Sequence, residues 1–318
     1  MEIIQYSVCY TDVQFFVEHV FVSILITVKS TICLCVLLLN LLNATTLAAD
    51  IVRMNTTNQA NDLRTNYKIA VLTQAMESTL DSYGPYEIQI VALQTTAKRA
   101  LIEVQSGRII NLFMGVTTPE WEQKNLPIRI PIRRGILSYR VLAVHKEHLA
   151  SFAKVKKIDD LKKLAAGLRV GWATTDTLKQ QRFSYYELES LDGLYHMLNR
   201  QAIDYIPRGI NEVYDEISVR QPNHLQVEPT LLLYLPAPTY IIVSPNETIL
   251  AKRIEAGLEI MIKKGILKNL FYEFYADDLK KAEIKNRTII SIPNPNLPDH
   301  IPFDRPELWF NHDQEQVN

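Results

Sequence analysis

Cysteine is absent after residue 35: Cys9, Cys33 and Cys35 are the chain's only thiols. Neither a disulfide nor a thiolate metal site can therefore support the rest of the chain. An excess of one charge is also missing. With 34 Lys+Arg against 35 Asp+Glu and a formal net charge of -1, the composition gives no support for a nucleic-acid partner. HExxH and CxxC spacings are lacking, and the histidines, among them His145, His148, His196, His224, His300 and His312, are dispersed, so no metal is expected. A GxSxG turn and a glycine-rich phosphate loop are lacking too, so neither an enzymatic reaction nor a cofactor is expected. No internal repeat or long low-complexity linker occurs. What is there is an ordinary globular composition, 47% apolar over 318 residues, with material for two modest hydrophobic cores.

Residues 32–42 read ICLCVLLLNLL, with Lys29 just before them and Ala48-Ala49 after. A basic flank, a short apolar core and a small-residue exit predict a secretory signal peptide, too short for a comfortable membrane span. A second apolar run, from about Val13 to Thr27, precedes it. Either translation begins near Val28 rather than at Met1, or residues 1–27 anchor the protein to the inner membrane. Both readings place the folded body, from Asp50 onward, outside the cytoplasm.

In that body, periodicity predicts a strand at 51–54, a helix at 62–80, a strand at 86–93, a helix capped by Thr96 and ended by Gly107, and a strand at 109–114. This βαβαβ pattern favours an α/β layer architecture. Extended segments at 128–131 and 137–144 lead into a second alternating region. Its strands are expected at 169–172, 185–188, 203–206 and 225–227. Its helices are expected at 158–164, from Thr174 onward, at 190–199 and at 211–219. Extended segments at 231–234 and 240–243 flank Pro236 and Pro238, and two helices should follow at 247–262 and 265–274. The charged stretch 277–285 is expected to extend toward solvent. The proline-rich end is expected to wrap the body, pinned by Leu308, Trp309 and Phe310. Two α/β units that share strands would leave a cleft between them.

The segments QSGRIINLFMGVTTPEWE, LAAGLRVGWATTDTL and NRQAIDYIPRGINEV occur in this order. With them, residues 50–275 resemble the bacterial extracellular solute-binding protein family 3, of the periplasmic binding protein type II-like fold, and within it a proteobacterial subgroup. The resemblance implies an α/β, two-lobed fold with an interlobe cleft and two hinge strands, near 137–143 and 231–240. It divides the chain into a leader (1–49), the N-terminal part of lobe 1 (50–140), lobe 2 (141–235), and a return to lobe 1 with a C-terminal wrapping tail (236–318). The implied function is capture of a small polar or anionic organic solute in the periplasm, without catalysis, for a transporter. The alternative is a binding-protein-like accessory or sensory protein. The implied partners are the solute and an inner-membrane permease or sensor, with the protein itself a monomer.

The resemblance places ligand contacts at Thr117 and Thr118 in lobe 1, and at Thr174 and Thr175 at a helix start in lobe 2. Two positions depart from the family. Where members that bind amino acids carry an Arg for the ligand carboxylate, this chain has Trp121; where they carry an Asp for the ligand ammonium, it reads Pro207-Arg208-Gly209. Arg208 is the leading candidate to clamp a carboxylate or phosphate, since Gly209 lets the backbone approach another group closely. The competing reading pairs it with Glu212 or Asp215. Trp121 and Trp172 either stack on a ligand or pack in the core. The threonines either meet polar ligand atoms or cap helices. Arg133, in the basic cluster with Arg129, Arg134 and Arg140, is a candidate to replace the missing clamp. Tyr139 near the hinge and Tyr205 in lobe 2 complete the candidate set, both equally suited to structural hydrogen bonds.

Overall fold

The computed structural model describes residues 49–56, 63–93, 96–220 and 223–315. The leader, with its signal and start-site readings, lies outside them. Among the described residues no helix is long and apolar enough to cross a membrane.

Alternating burial starts the first sheet. β1 (Asp50–Thr56) turns Val52 and Met54 into the core. β2 (Tyr86–Ala92) lies parallel to it, Asp50 opposite Tyr86 and Thr56 opposite Ala92. Between them, α1 (Leu63–Glu77) buries Tyr67, Val71, Leu72, Ala75 and Met76, the spacing of one helical face. α2 (Ala97–Ser106) starts where the Thr96 hydroxyl accepts the Arg99 N–H and stops at Gly107, whose φ of 65° is left-handed. β3 (Leu112–Val116), α3 (Pro119–Lys124) and β4 (Leu126–Ile128) follow. β3 begins later than its apolar run because Asn111 meets β1 partly through its side chain: its amide donates to the Ile51 carbonyl and accepts the Arg53 N–H.

β5 (Tyr139–His145) is the axis of the second, seven-stranded sheet, with all of its residues buried. On one side β8 (Tyr205–Gly209) runs antiparallel, Val141 opposite Arg208, and β6 (Ala166–Arg169) and β7 (Tyr185–Leu188) extend the sheet. On the other side lies β10 (Leu231–Tyr234), with Tyr234 opposite Tyr139, while β9 (Leu225–Val227) pairs farther along β5. α4 (Ala173–Gln180), α5 (Leu191–Asn199) and α6 (Ile210–Arg220) connect these strands. The strand expected at 169–172 forms earlier, at β6, because Gly171 turns the chain at φ 81° and leaves Trp172 as the N-cap of α4.

The chain crosses between the sheets after β4 and again after β10, and the crossings are tied together. The Leu235 N–H donates to the Ser138 carbonyl (2.7 Å), the Ala237 N–H to the Ser138 hydroxyl (3.0 Å) and the Ile132 N–H to the Thr239 carbonyl (3.0 Å). β11 (Thr239–Val243) then enters the first sheet between β3 and β4. α7 (Thr248–Lys263) and α8 (Ile266–Ala282) pack beside α1. In the charged stretch 277–285, Asp277, Lys280, Lys281, Glu283 and Lys285 are exposed, but α8 runs on to Ala282, and Leu279, Ala282 and Ile284 face inward. Beyond it, β12 (Thr288–Ser291) joins the second sheet parallel to β10. The proline-rich segment lies against both lobes. The Thr177 hydroxyl of α4 donates to Asn294 Oδ1 (2.9 Å), Arg305 pairs with Glu259 of α7 (2.6 Å), and Leu308 and Phe310 are buried.

Helix α7 is held to α1 at very close range. Arg253, fully buried, donates to Asp50 Oδ2 (2.8 Å), the Gly84 carbonyl (2.7 Å) and the Thr79 hydroxyl (3.2 Å). One turn on, Gly257 rests on the backbone of Ala75, and a Cβ there would stand well inside contact with the Ala75 carbonyl. Gly257→Ala is therefore expected to destabilise the protein by about 1–3 kcal/mol. Thermal unfolding followed by circular dichroism checks this, and an unchanged Tm would mean that the two helices separate freely.

Candidate functional site

The corner where β8 passes into α6 gathers buried charge. The Arg208 side chain is 5% exposed and is held by Glu216, which accepts from Nε at 2.7 Å and from Nη2 at 2.6 Å. Glu212, one turn earlier on α6, lies 3.1 Å from the same Nη2. The Trp172 ring lies beneath the guanidinium, 4.3 Å from its centroid to the guanidinium carbon. The Tyr195 hydroxyl of α5 donates to Glu216 Oε2 at 2.9 Å. The bidentate ion pair that Arg208 was expected to offer a ligand is thus formed inside the protein, with carboxylates spaced one and two helical turns away.

Glu212 links the lobes. Arg64 of α1 lies 3.6 Å from it, Arg140 of β5 lies 3.5 Å from it, and the Gly209 N–H donates to it at 3.1 Å. A Cβ on residue 209 would meet Glu212 Oε2 at 2.9 Å and Asn211 Oδ1 at 3.0 Å, so glycine makes room for this fold-back. Burial pushes the Glu212 carboxyl up, but Arg208, Arg140 and Arg64 together hold it at about 2. Burial lowers Arg140 to about 10 against the pull of Glu212, and Arg208 and Arg133 press the same way. Burial also acts to lower Arg208, yet Glu212 and Glu216 reverse it and raise the value.

Among the described residues, guanidiniums outnumber carboxylates here. Against Glu212 and Glu216 stand Arg64, Arg133, Arg140 and Arg208. Arg133 is buried, its Nη2 donating to the Arg64 carbonyl at 3.5 Å. Among the described residues, Arg133 Nε, Arg140 Nε and both amide atoms of Asn211 are buried without a hydrogen-bond partner. Among the described residues, no three His, Cys, Asp or Glu side chains converge as metal ligands.

The remaining candidates are distributed around this junction. Thr117 is buried, its hydroxyl donating to Glu122 Oε1 (3.0 Å) and its N–H to the Pro238 carbonyl (3.1 Å). Thr118 caps α3 by accepting the Trp121 N–H at 3.3 Å. Trp121 is stacked on Phe113, with centroids 4.7 Å apart and planes 8° apart, in a cluster with Leu101 and Ile242. Thr174 and Thr175 are buried in the first turn of α4, and the Thr175 hydroxyl donates to the Arg169 carbonyl (2.7 Å). Tyr139 meets Tyr234 and Phe310 edge-on. Tyr205 is fully buried against Phe152, its hydroxyl without a partner. The structure therefore joins Arg208, Trp172 and Arg133 to Arg64, Arg140, Asn211, Glu212 and Glu216. Of these, Glu216 was visible in the sequence only as the second helical repeat after Arg208, and Arg64 carried no signal.

Removing Glu216 leaves a buried guanidinium half-neutralised. Glu216→Ala is expected to destabilise by about 3–5 kcal/mol, whereas an apolar pair at 208 and 216 should recover most of that loss. Thermal unfolding of the single and double variants measures the difference. A second, pH-dependent effect comes from the packing of α6 on α8. Burial and then Asp215 push the Asp278 carboxyl up to about 6. Its folded value lies above the unfolded one, so the ionised form destabilises above pH 6, and the penalty is relieved as pH falls through that value. Asp278→Asn is expected to raise stability at pH 8 by about 1 kcal/mol after allowance for solvent screening. At pH 4.5 it should change Tm little, so equal shifts at both pH values would reject the effect.

No protein-family model and no curated protein matches the chain. Solved structures do match it. An ancestral arginine-binding protein bound to arginine gives a TM-score of 0.52 at 16% identity, covering 71% of this chain and 98% of its own. The ancestral amino acid-binding protein AncCDT-1, a precursor of cyclohexadienyl dehydratase, gives 0.52 at 14% identity, covering 71% and 95%. A structure bearing on glutathione import via GshT and the cystine ABC importer TcyBC of Streptococcus mutans gives 0.52 at 16% identity, covering 71% and 95%. With its two sheets, the body of the chain has the two-lobed α/β fold of these periplasmic binding proteins.

Proposed function

We propose that the protein captures a small organic anion, a solute bearing at least one carboxylate, at the junction of its lobes and leaves it chemically unchanged. The observation that carries this reading is the buried surplus of guanidinium at Arg133 and Arg140, beside the unpartnered amide of Asn211. Buried charge of one sign is expensive unless a counter-charge completes it, and a ligand carboxylate is the right size and sign to do so. In this reading Arg208 acts indirectly, fixed by Glu216 so that it orients Trp172 and Glu212. The threonine pairs supply the remaining polar surface, Thr117 and Thr118 from lobe 1 and Thr174 and Thr175 from lobe 2. The solutes in the neighbours' names, arginine and glutathione, each bear a carboxylate, which supports that part of the choice. Delivery to an inner-membrane permease from an exported, monomeric protein is the use that fits the two-lobed fold and the signal-like leader. A non-transporting accessory or sensory role is the second reading, favoured by the C-terminal segment, which fastens to both lobes and restrains their relative motion.

Thermal unfolding across amino acids, dicarboxylates, other organic anions and phosphorylated metabolites tests the proposal. A bound solute at about 100 times its Kd contributes roughly 2.7 kcal/mol of apparent stability, a rise of about 5–10 °C in Tm. The rise should vanish in Arg140→Gln, judged against that variant's own Tm, and persist in Trp121→Phe. A ligand whose shift survives Arg140→Gln and Arg133→Gln would place binding elsewhere, and turnover of a bound compound would replace capture with catalysis.

A further inference from the structure

A cavity apart from the arginine junction is lined by Tyr139 and Tyr234 of the hinge strands and by the C-terminal segment. Its volume is about 350 Å³, within the range of small-molecule pockets, and its aromatic walls are Tyr139, Tyr234, Phe303, Trp309 and Phe310. We propose that this cavity binds a small organic cation, an ammonium carrying apolar substituents.

Phe303 and Trp309 stack on each other, centroids 5.1 Å apart, but the rings around Tyr139 do not. Around Tyr139, the rings of Tyr234, Phe310 and His312 stand 5.3, 5.9 and 5.9 Å away at 61°, 76° and 75°. Steeply inclined rings around a space present the concave, electron-rich surface that attracts a cation. The charges agree with this. Arg134 lines the floor, but Glu315 cancels it through a bidentate pair at 2.8 and 2.7 Å. Asp313 on the rim, its side chain largely exposed, is met among the described residues by His312, 3.4 Å away, an ion pair only when the imidazole is protonated. The pocket's uncommitted charge is therefore negative.

The polar atoms inside are also unused. Neither the Tyr139 nor the Tyr234 hydroxyl has a hydrogen-bond partner among the described residues, and Tyr139 is only 7% exposed. Burial, then Tyr234, then Asp313 push the Tyr139 hydroxyl well above the ordinary phenol range, which places the Asp313 carboxylate within electrostatic reach of that phenol. Each phenolic oxygen can accept from an N–H or face the positive end of a ligand. Tyr139 and Tyr234 are also direct partners across β5 and β10, the strands leading into the two crossings.

Titration calorimetry of the full chain with tetramethylammonium tests the proposal, with neopentyl alcohol as the uncharged probe of the same shape. The cation is expected to bind saturably, and the alcohol at least about tenfold more weakly, the size of one desolvated cation–π contact. Tyr139→Leu should abolish the cation's binding. Asp313→Asn, at an exposed position that leaves the fold intact, should weaken it severalfold and keeps the proposal testable if the tyrosine variant does not fold. Arg140→Gln should leave it unchanged, which separates this site from the lobe junction. Equal binding of alcohol and cation, no saturable binding, or indifference to Asp313→Asn would each overturn the proposal.

Discussion

Glu212 is a carboxylate that three parts of the chain need at once. It receives Arg208 and the Gly209 N–H from the corner it sits on, Arg140 from the central strand of the second sheet and Arg64 from the first helix of the other lobe. Buried ion pairs of this kind are weak sources of net stability, because desolvation offsets most of the attraction. Their effect is on geometry. A carboxylate enclosed by guanidiniums tolerates no arrangement that leaves one of them dry and alone, so the approach of α1 to β5 and α6 is specified by charge as well as by apolar packing.

That constraint explains why Arg208 behaves differently from its promise in the sequence. An arginine ahead of a glycine at the end of a buried strand has the features of a ligand clamp, and also those of an arginine set to meet carboxylates on the helix that follows. The spacing of residues 208, 212 and 216 puts both glutamates on the side of α6 facing back toward β8, and the helix satisfies the guanidinium before any solute can. The uncommitted donors are found on Arg133 and Arg140, whose partners come from distant parts of the chain.

Local signals were legible where local chemistry decides. The Thr96 cap, the Gly107 stop, the strand at 185–188 and the pinning residues Leu308 and Phe310 all stand where residue type and spacing put them. Boundaries failed where a single residue overrode the periodicity, as at Gly171, which ends β6 early, and at Asn111, which replaces ladder bonds with its own amide. In the stretch at 277–285, charge density hid an apolar stripe that α8 uses. β12, four residues long, has too little pattern to announce itself, and the stacking of Trp121 on Phe113 depends on which elements meet in space. Of the candidate residues, the sequence placed Arg208 beside Glu212, while the pairing with Glu216 depends on how α6 folds back onto β8.

The C-terminal segment also sets the order in which the molecule can be completed. Ribosomes release a chain from its N-terminus, so β12, the edge of the second sheet, and Glu315, the partner of buried Arg134, emerge after the elements they pair with. The Arg134–Glu315 pair spans 181 residues of sequence. Contacts of such separation form late and slowly. Until that moment the second sheet has an open edge on β10 and a guanidinium without its counter-charge, so a nascent or truncated chain presents strand-pairing and aggregation surfaces that the finished protein hides.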